Sequence, residues 1–220
     1  MDLAWRINKL LKTLLTILIV LGIIIFTITM YFTINYPISY QNLIDKYSKQ
    51  FNVDPYLIAA MINVESRYDK DAMSHKEARG LMQISSSTGL WGAEALSIED
   101  FQLEMLFDPE TNIRIGTWYL DMLSKEFGNN PQLILAAYNG GSGNVGKWLK
   151  NSQYSDDGKS LKKIPFEETK AYVEKVSKNY NIYRILYKDE FQSVSTDKES
   201  RFIIAIHSFR KLFKNLIKYK

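Results

Sequence analysis

The N-terminal part of the chain contains a long run without charge. Residues 13–36 hold no Asp, Glu, Lys or Arg, and apolar side chains occupy every face of the helix that they would form. About twenty apolar residues are enough to cross the ~30 Å hydrocarbon layer of a bilayer as a helix. The pattern therefore predicts a transmembrane helix over residues 13–36.

Two other interpretations of this run are open. A cleaved secretory signal has a shorter apolar region, about 7–15 residues, followed by small residues at the cleavage site. Residues 30–32 are Met-Tyr-Phe and do not fit such a site. A helix buried in a protein core is also apolar all round. The length of the run favours an uncleaved anchor.

Basic residues precede the apolar run and indicate its orientation. Arg6, Lys9 and Lys12 lie within residues 1–12. By the positive-inside rule, this short segment stays in the cytoplasm. We therefore expect a single-pass protein of the cell membrane, with the body after Pro37 on the extracytoplasmic side. Nucleotide cofactors such as ATP and NAD are not expected there.

The body of the chain, residues 38–187, has the pattern of a compact helical domain. Apolar residues recur at helical spacing along it, and no segment alternates as a half-buried strand would. Residues 165–187 are predicted to form the longest of these helices. Three other helices are predicted to start where Asp or Asn precedes proline, at Asp54-Pro55, Asp108-Pro109 and Asn130-Pro131.

Composition excludes several kinds of site. The 220 residues include no cysteine, which excludes disulfides, zinc-thiolate sites and a cysteine nucleophile. The two histidines, His75 and His207, are far apart in the sequence, so no metal site and no cofactor are expected. The net charge is +4, and the basic excess lies at the two ends. The body is therefore not expected to bind nucleic acid.

The glycine-rich stretch after residue 139 fits two nucleotide-binding patterns, and neither is supported. Gly141, Gly143 and Gly146 have the spacing G-x-G-x-x-G, but that fingerprint needs a preceding strand. In the second pattern, Trp148 stands where a hydroxyl must bind Mg²⁺. The apolar run before the glycines is predicted to be a helix. The stretch NGGSG (139–143) is therefore predicted to be an ordinary loop, after which Asn144 could cap a short helix through Trp148 and Leu149.

Glu65 is the first candidate for chemistry. It falls late on a predicted helix, next to Met61, Ile62 and Val64. A carboxyl in apolar surroundings has a raised pKa, because its charged form is poorly solvated, and it can then donate a proton near neutral pH. Taken alone, however, a glutamate at a helix end is more often an ordinary surface residue.

Four motifs that follow one another along the chain favour the catalytic interpretation of Glu65 over a surface glutamate. They are ESRY (65–68), GLMQI (80–84), AAYNGG (136–141) and IPFEETKAYVEKV (164–176). Together they resemble the lytic transglycosylases of the soluble-lytic-transglycosylase type, which are related to goose-type lysozyme. The resemblance implies an all-α fold, a lysozyme-like helical domain with a long cleft, here behind a single N-terminal transmembrane helix. It implies peptidoglycan glycan strands as the substrate.

The resemblance also implies a mechanism with Glu65 as the single catalytic acid and base. As the acid it protonates the oxygen of the β-1,4 bond between N-acetylmuramic acid and N-acetylglucosamine. As the base it takes a proton from the C6 hydroxyl of the muramic sugar, which attacks C1 and gives a 1,6-anhydro end. Glycosidases commonly use two carboxylates. Here the substrate's N-acetyl group is implied in the second role, without metal or cofactor.

Motif position assigns further residues to glycan binding. Gln83 and Asn139 can hydrogen-bond acetamido groups in both directions, and Tyr138 and Tyr172 can pack against sugar faces. Each of them alone is equally consistent with a structural role. The residues that the resemblance implies beside Glu65 are Ser66, Ser74, Gln83, Tyr138, Asn139, Glu168 and Tyr172.

The sequence departs from the family pattern at three positions. Glu77 stands where the family usually has glycine, and Ser85 and Ser86 stand where methionine and proline are common. If Glu77 positioned a water, hydrolysis would compete with anhydro formation, although an exposed turn glutamate is the expectation. Two alternatives are therefore kept: a hydrolytic muramidase on the same fold, and a non-catalytic wall-binding component of an envelope-spanning assembly.

The C-terminal residues lie beyond the resemblance. Apolar residues recur at helical spacing there, with basic residues between them. Such a segment could pack on the domain or a partner, or bind anionic lipid or wall polymer. The predicted organisation is a cytoplasmic N-terminus (1–12), an anchor (13–36), a catalytic domain (38–187) and a basic amphipathic tail (188–220).

Overall fold

The computed structural model describes residues 2–188 and Phe191. The described residues form helices and no strand, apart from two isolated β-bridges, which confirms the all-α prediction. The α-helices are α1 (Asp2–Asn35), α2 (Gln41–Phe51), α3 (Pro55–Glu65), α4 (Ser86–Ala95), α5 (Pro109–Glu126), α6 (Pro131–Gly140), α7 (Ser142–Leu149) and α8 (Glu167–Leu186). A 3₁₀ helix, Leu103–Phe107, precedes α5.

Helix α1 belongs to a compact unit that ends at Pro37, and the described residues from Ile38 onward form a second unit. Within α1, Trp5–Asn35 has a mean hydropathy of 2.7 and is long enough to cross a membrane, and its apolar window is not buried in the protein. Its threonine hydroxyls, such as those of Thr13 and Thr16, donate to carbonyls one turn earlier. The polar groups are therefore satisfied within the helix, as a bilayer requires.

The three predicted helix starts are confirmed. The carboxylate of Asp54 accepts the backbone N–H of Tyr56 at 2.8 Å, and Asp108 accepts that of Thr111 at the same distance. The Asn130 side chain does the same at the start of α6. In each case the next residue is proline, whose missing N–H costs nothing at the first helical position.

The core of the second unit lies between α3, α6 and α8. Helix α3 packs chiefly against α8, and α6 packs against both α7 and α8. The central side chains Ile58, Met61 and Ile62 of α3 are fully buried, as is Val176 of α8. This packing leaves the C-terminal end of α3 facing α8.

The glycine-rich stretch is not the loop that the sequence predicts. Helix α6 continues to Gly140 and α7 begins at Ser142, so that Gly141 alone separates them. Its φ of +87° is accessible to glycine at little cost and lets the chain turn within one residue. The Asn144 amide donates to the Gly140 carbonyl at 2.7 Å and closes this turn.

Ser85 and Ser86, two departures from the family pattern, have structural roles. The Ser85 hydroxyl caps α4 by accepting the backbone N–H of Thr88 at 3.2 Å. The Ser86 hydroxyl accepts from the Arg79 guanidinium at 2.9 Å. Serine is a preferred N-cap because its oxygen satisfies an orphan amide. These two serines therefore start α4 and tie it to the loop before it.

The predicted tail, 188–220, falls almost wholly outside the described residues. Of that segment the structure describes Lys188 and Phe191. The Lys188 carbonyl accepts from the Tyr56 hydroxyl at 2.6 Å, and the Phe191 ring lies edge-on to the Tyr56 ring, with 5.1 Å between centroids. The chain that leaves α8 therefore contacts the first turn of α3.

Candidate active site

Glu65 is the last residue of α3, and helix α8 supplies its neighbours. Tyr172 and Lys175 lie one turn apart on α8 and both act on the Glu65 carboxyl. Tyr138, near the end of α6, feels the charge of the same carboxyl. Three segments that are far apart in the sequence therefore meet around Glu65.

Burial raises the pKa of Glu65 to about 7, well above its ordinary value of 4.5. The Tyr172 hydroxyl and the positive charge of Lys175 act in the opposite direction and lower it, but burial has the larger effect. A carboxyl with this pKa exists in both protonation states near neutral pH, which suits a group that first donates and then accepts a proton. The raised pKa expected from the apolar neighbours in the sequence is confirmed.

Tyr172 faces Glu65 with a buried hydroxyl. Within the described part of the chain, that hydroxyl has no hydrogen-bond partner of normal geometry. Burial and then the charge of Glu65 raise the pKa of Tyr172, so it stays a protonated donor. The hydroxyl lies close enough to Glu65 to lower its pKa, so its proton can bond to the ionised carboxyl or to a ligand.

Replacing Tyr172 by phenylalanine is expected to move the alkaline limb of the pH profile upward. The hydroxyl lowers the pKa of Glu65, so its removal should raise that pKa above about 7. Since the acid form then persists to higher pH, activity should also persist to higher pH. The pH dependence of kcat/KM measures this shift. Tyr180→Phe is the control on the same helix, because the Tyr180 hydroxyl donates to Asp54 at 2.7 Å instead of acting on Glu65. An alkaline limb of the pH profile that does not move in Tyr172→Phe would contradict the expectation.

Tyr138 joins the second and third sequence motifs. Its hydroxyl donates to the backbone carbonyl of Met82 at 2.9 Å. Its ring also lies 5.5 Å from the ring of Tyr119 on α5, centroid to centroid. Burial raises the pKa of Tyr138 most, followed by the charge of Glu65. Tyr138 is therefore a neutral residue held between the loop before α4 and the Glu65 carboxyl.

Ser66, Ser74 and Gln83 bond within or beside the loop between α3 and α4. The Ser66 hydroxyl donates to the Ile62 carbonyl at 3.1 Å, at the end of α3. The Ser74 hydroxyl accepts two backbone N–H groups of its own turn, the shorter at 3.0 Å. The Gln83 amide donates to the carbonyls of Ala72 and Gly80 at 3.1 and 2.8 Å. All three side chains shape the loop.

Asn139 and Glu168 are exposed. Asn139 follows Tyr138 near the end of α6. Glu168 lies in the first turn of α8 with 78% of its side chain exposed, and it approaches Lys76 only to 3.9 Å. Its neighbour Thr169 is buried and packs on α6: a Cβ added to Gly140 would lie 3.0 Å from the Thr169 hydroxyl oxygen.

Glu77 lies in an exposed turn, as the sequence predicts. Its φ is +60°, 72% of its side chain is exposed, and its carboxylate lies 3.9 Å from the Arg79 guanidinium. It is not among the groups that shift the pKa of Glu65. In the part of the chain that the structure describes, no group of three or more His, Asp or Glu side chains could hold a metal ion.

Sequence reasoning missed Lys175 and Met82. Lys175 follows Tyr172 by three residues on α8, and residues at that spacing share one side of a helix, so helical periodicity could have identified it. Met82 takes part through its backbone carbonyl, and no side-chain pattern reports such a contact.

Comparisons with known proteins agree with this geometry. A family model described as the transglycosylase SLT domain matches residues 42–161. The soluble lytic murein transglycosylase of Salmonella typhimurium is 34% identical over 166 residues, which are 74% of this chain and 26% of that protein. The membrane-bound lytic murein transglycosylase C of Sodalis glossinidius is 37% identical over 122 residues, which are 48% of this chain and 32% of that protein.

A solved structure extends the likeness to three dimensions. The X-ray structure of the lytic transglycosylase Slt from Pseudomonas aeruginosa, in an inactive mutant with glutamine in place of a glutamate, matches with a TM-score of 0.63. The identity is 30%, and the match covers 71% of this chain and 26% of that one. The chain thus spans about a quarter of the length of the Salmonella and Pseudomonas proteins.

Proposed function

Because the chain belongs to the transglycosylase SLT domain family, we propose that it is a peptidoglycan lytic transglycosylase with Glu65 as its catalytic acid and base. The observation that carries the proposal is the half-buried Glu65 carboxyl at the end of α3, whose pKa is raised by burial to about 7. Relatives named lytic murein transglycosylases support the same reaction.

The reaction needs one group that gives a proton and then takes one. Protonated Glu65 donates to the glycosidic oxygen of the β-1,4 bond between N-acetylmuramic acid and N-acetylglucosamine as the bond to C1 breaks. The resulting carboxylate accepts the proton of the C6 hydroxyl, whose oxygen bonds to C1 and closes the 1,6-anhydro ring. Tyr172 and Lys175 favour the ionised form of Glu65 between the two steps.

The surroundings of Glu65 favour this reaction over hydrolysis with two carboxylates. In the described part of the chain, the groups that act on Glu65 are Tyr172 and Lys175, and Tyr138 feels its charge. Glycosidases of the two-carboxylate kind place the second carboxyl about 5–9.5 Å from the first. No Asp or Glu among the described residues shifts the pKa of Glu65. We therefore assign the role of the second carboxylate, stabilising the cationic C1, to the acetamido oxygen of the substrate.

Product analysis tests the proposal. Peptidoglycan digested with the full chain is expected to release muropeptides that carry 1,6-anhydro-N-acetylmuramic acid ends, identified by mass spectrometry. Muropeptides with ordinary reducing ends would instead identify the hydrolytic muramidase. Binding to peptidoglycan without any release would identify the non-catalytic wall-binding component.

The glycan contacts are proposed at two levels. Tyr138 and Tyr172, whose pKa values are both raised by the charge of Glu65, are assigned to the sugars at the scissile bond. Asn139 and Glu168 are exposed and are assigned to sugars or stem peptides farther out. Ser66, Ser74 and Gln83 are assigned an indirect role, in which they shape the loop that borders the site.

The proposed location is the cell membrane, with α1 as a single-pass anchor, a cytoplasmic N-terminus and the domain outside. The exposed apolar surface of α1 supports this, as does the relative named a membrane-bound enzyme. The full chain should stay in the membrane fraction after a high-salt wash, whereas residues 38–220 should be soluble and still release muropeptides. A soluble full chain would contradict the anchor.

The tail, 188–220, is proposed to add an electrostatic contact with anionic lipid or wall polymer, on the strength of its basic amphipathic sequence. In the same fractionation, residues 38–220 should bind anionic vesicles or peptidoglycan in low salt, and residues 38–187 should bind less. Equal binding by both would remove this role from the tail.

A further inference from the structure

Asn112, a fully buried residue of α5, holds the loop that carries the second motif. Its amide nitrogen donates to two backbone carbonyls, that of Arg79 at 2.9 Å and that of Leu106 at 2.7 Å. Its amide oxygen accepts the backbone N–H of Met82 at 2.8 Å. A side-chain amide has two donor hydrogens, and both are used here. The loop is therefore bonded to α5 from inside the core.

Met82 is restrained on several sides by these contacts. Its N–H is bonded to Asn112, and its carbonyl accepts from the Tyr138 hydroxyl of α6 at 2.9 Å. Its side chain packs on α5, where a Cβ added to Gly116 would lie 2.4 Å from the Met82 sulfur. A continuous path of hydrogen bonds thus runs from Asn112 through Met82 to Tyr138.

We propose that Asn112 is a positioning residue for the reaction: by fixing Met82, it commits the hydroxyl proton of Tyr138 to the Met82 carbonyl and away from Glu65. The inference rests on the proposed function. A tyrosine hydroxyl has one proton, so a hydroxyl that donates to Met82 cannot also donate to the carboxyl. A donor turned toward Glu65 would stabilise its charged form and weaken it as an acid.

A change at Asn112 can alter the pKa of Glu65 only through the groups that act on the Glu65 carboxyl. Tyr172 and Lys175 approach from α8, and Tyr138 approaches from α6. Of these, Tyr138 is the one whose hydroxyl is bonded to the loop that Asn112 holds. Removing the Asn112 side chain should therefore release the Tyr138 hydroxyl and leave the contacts from α8 in place.

A double-mutant cycle tests the inference. Asn112→Ala, Tyr138→Phe and the double variant are compared with the full wild-type chain in detergent. The titration of Glu65 is followed by NMR of ¹³C-labelled glutamate carboxyls, with Glu65→Gln for assignment, and kcat is measured beside it. In Asn112→Ala, the Glu65 pKa should fall below about 7 and kcat should drop about 10²-fold, the scale expected for a misplaced catalytic group. In the Tyr138→Phe background, the same change should leave the titration where it was.

Two further variants separate positioning from simple structural support. Thr117→Val is the matched control, because Thr117 is also buried on α5 and its hydroxyl has no partner among the described residues. It should change neither the titration nor kcat. Asn112→Asp keeps an acceptor for the Met82 N–H, so it should not lower the pKa of Glu65. If Asn112→Ala does not fold, Asn112→Ser takes its place with the same expected fall, because a serine hydroxyl has one donor and is too short to hold Met82 and both carbonyls.

Three results would overturn the role of Asn112. The first is an unchanged Glu65 titration in Asn112→Ala, the second is an equal shift with and without the Tyr138 hydroxyl, and the third is a lowered pKa in Asn112→Asp. The NMR titration needs no turnover. A wild-type chain that releases no muropeptide would therefore refute the proposed function by itself, separately from this inference.

Discussion

The Glu65→Gln variant is expected to release muropeptides about 10⁴-fold more slowly than the wild-type chain, since general acid and base assistance together reach that scale. Glutamine has nearly the shape of protonated glutamate, but it has no acidic proton to donate and cannot accept one as a base. Release of muropeptides from purified peptidoglycan, measured over time, provides the rate.

The same variant should be more stable than the wild type at alkaline pH. The pKa of Glu65 is 4.5 in an unfolded chain and about 7 in the folded protein, so the folded state holds its proton more tightly. The resulting stability is fully present below pH 4.5 and is lost as the pH rises through 7. Because a neutral glutamine side chain carries no such penalty, Glu65→Gln should melt at a higher temperature than the wild type at pH 8. The difference should shrink at pH 4.

Glu77→Gln is the matched control for both measurements. Glu77 lies in an exposed turn, with 72% of its side chain in solvent. Its replacement should leave the rate and the pH dependence of the melting temperature unchanged. Undiminished release by Glu65→Gln, or an equal loss in Glu77→Gln, would show that the catalytic carboxyl has been assigned to the wrong residue.

The second large effect is expected from Gly80→Ala, which should destabilise the domain by about 3 kcal/mol or more. Gly80 has a φ of +74°, in the left-handed region that alanine enters at a cost. A Cβ there would lie 2.2 Å from the Leu106 carbonyl oxygen and 2.4 Å from the Asn112 amide nitrogen. Both are held in the core, so the loop must move instead. Chemical denaturation followed by circular dichroism measures the loss.

Gly146→Ala provides the comparison for Gly80→Ala. Gly146 lies inside α7, and a Cβ added there meets nothing within 4 Å. Alanine in an open helical position is expected to stabilise by about 0.5–1 kcal/mol. If Gly80→Ala and Gly146→Ala unfold at the same denaturant concentration, the close approach and the positive φ at Gly80 do not restrict which residue fits there.

The sequence by itself determined the features that depend on neighbouring residues. Caps followed by proline located the starts of α3, α5 and α6, because an Asp or Asn oxygen and a ring without an N–H favour that position whatever the tertiary fold. An uncharged apolar run predicted the long exposed helix near the N-terminus. Apolar neighbours on a single helix indicated a raised pKa for Glu65, since burial is its main cause, but the four motifs were needed to single out Glu65 as a candidate.

Only the tertiary structure decided how the neighbours of Glu65 are held, and that Lys175 is one of them. Tyr138 reaches a carbonyl 56 residues away, and Asn112 reaches one 33 residues away, through contacts that leave no periodic pattern in the sequence. The fourth motif is similar: the sequence does not show that Thr169 is buried against α6 while its neighbour Glu168 is exposed. Periodicity reports which face of a helix is apolar, whereas a hydrogen bond between distant segments depends on how those faces pack. The candidate acid and two of its neighbours, Tyr138 and Tyr172, were therefore visible in the sequence motifs, whereas the contacts that hold them were not.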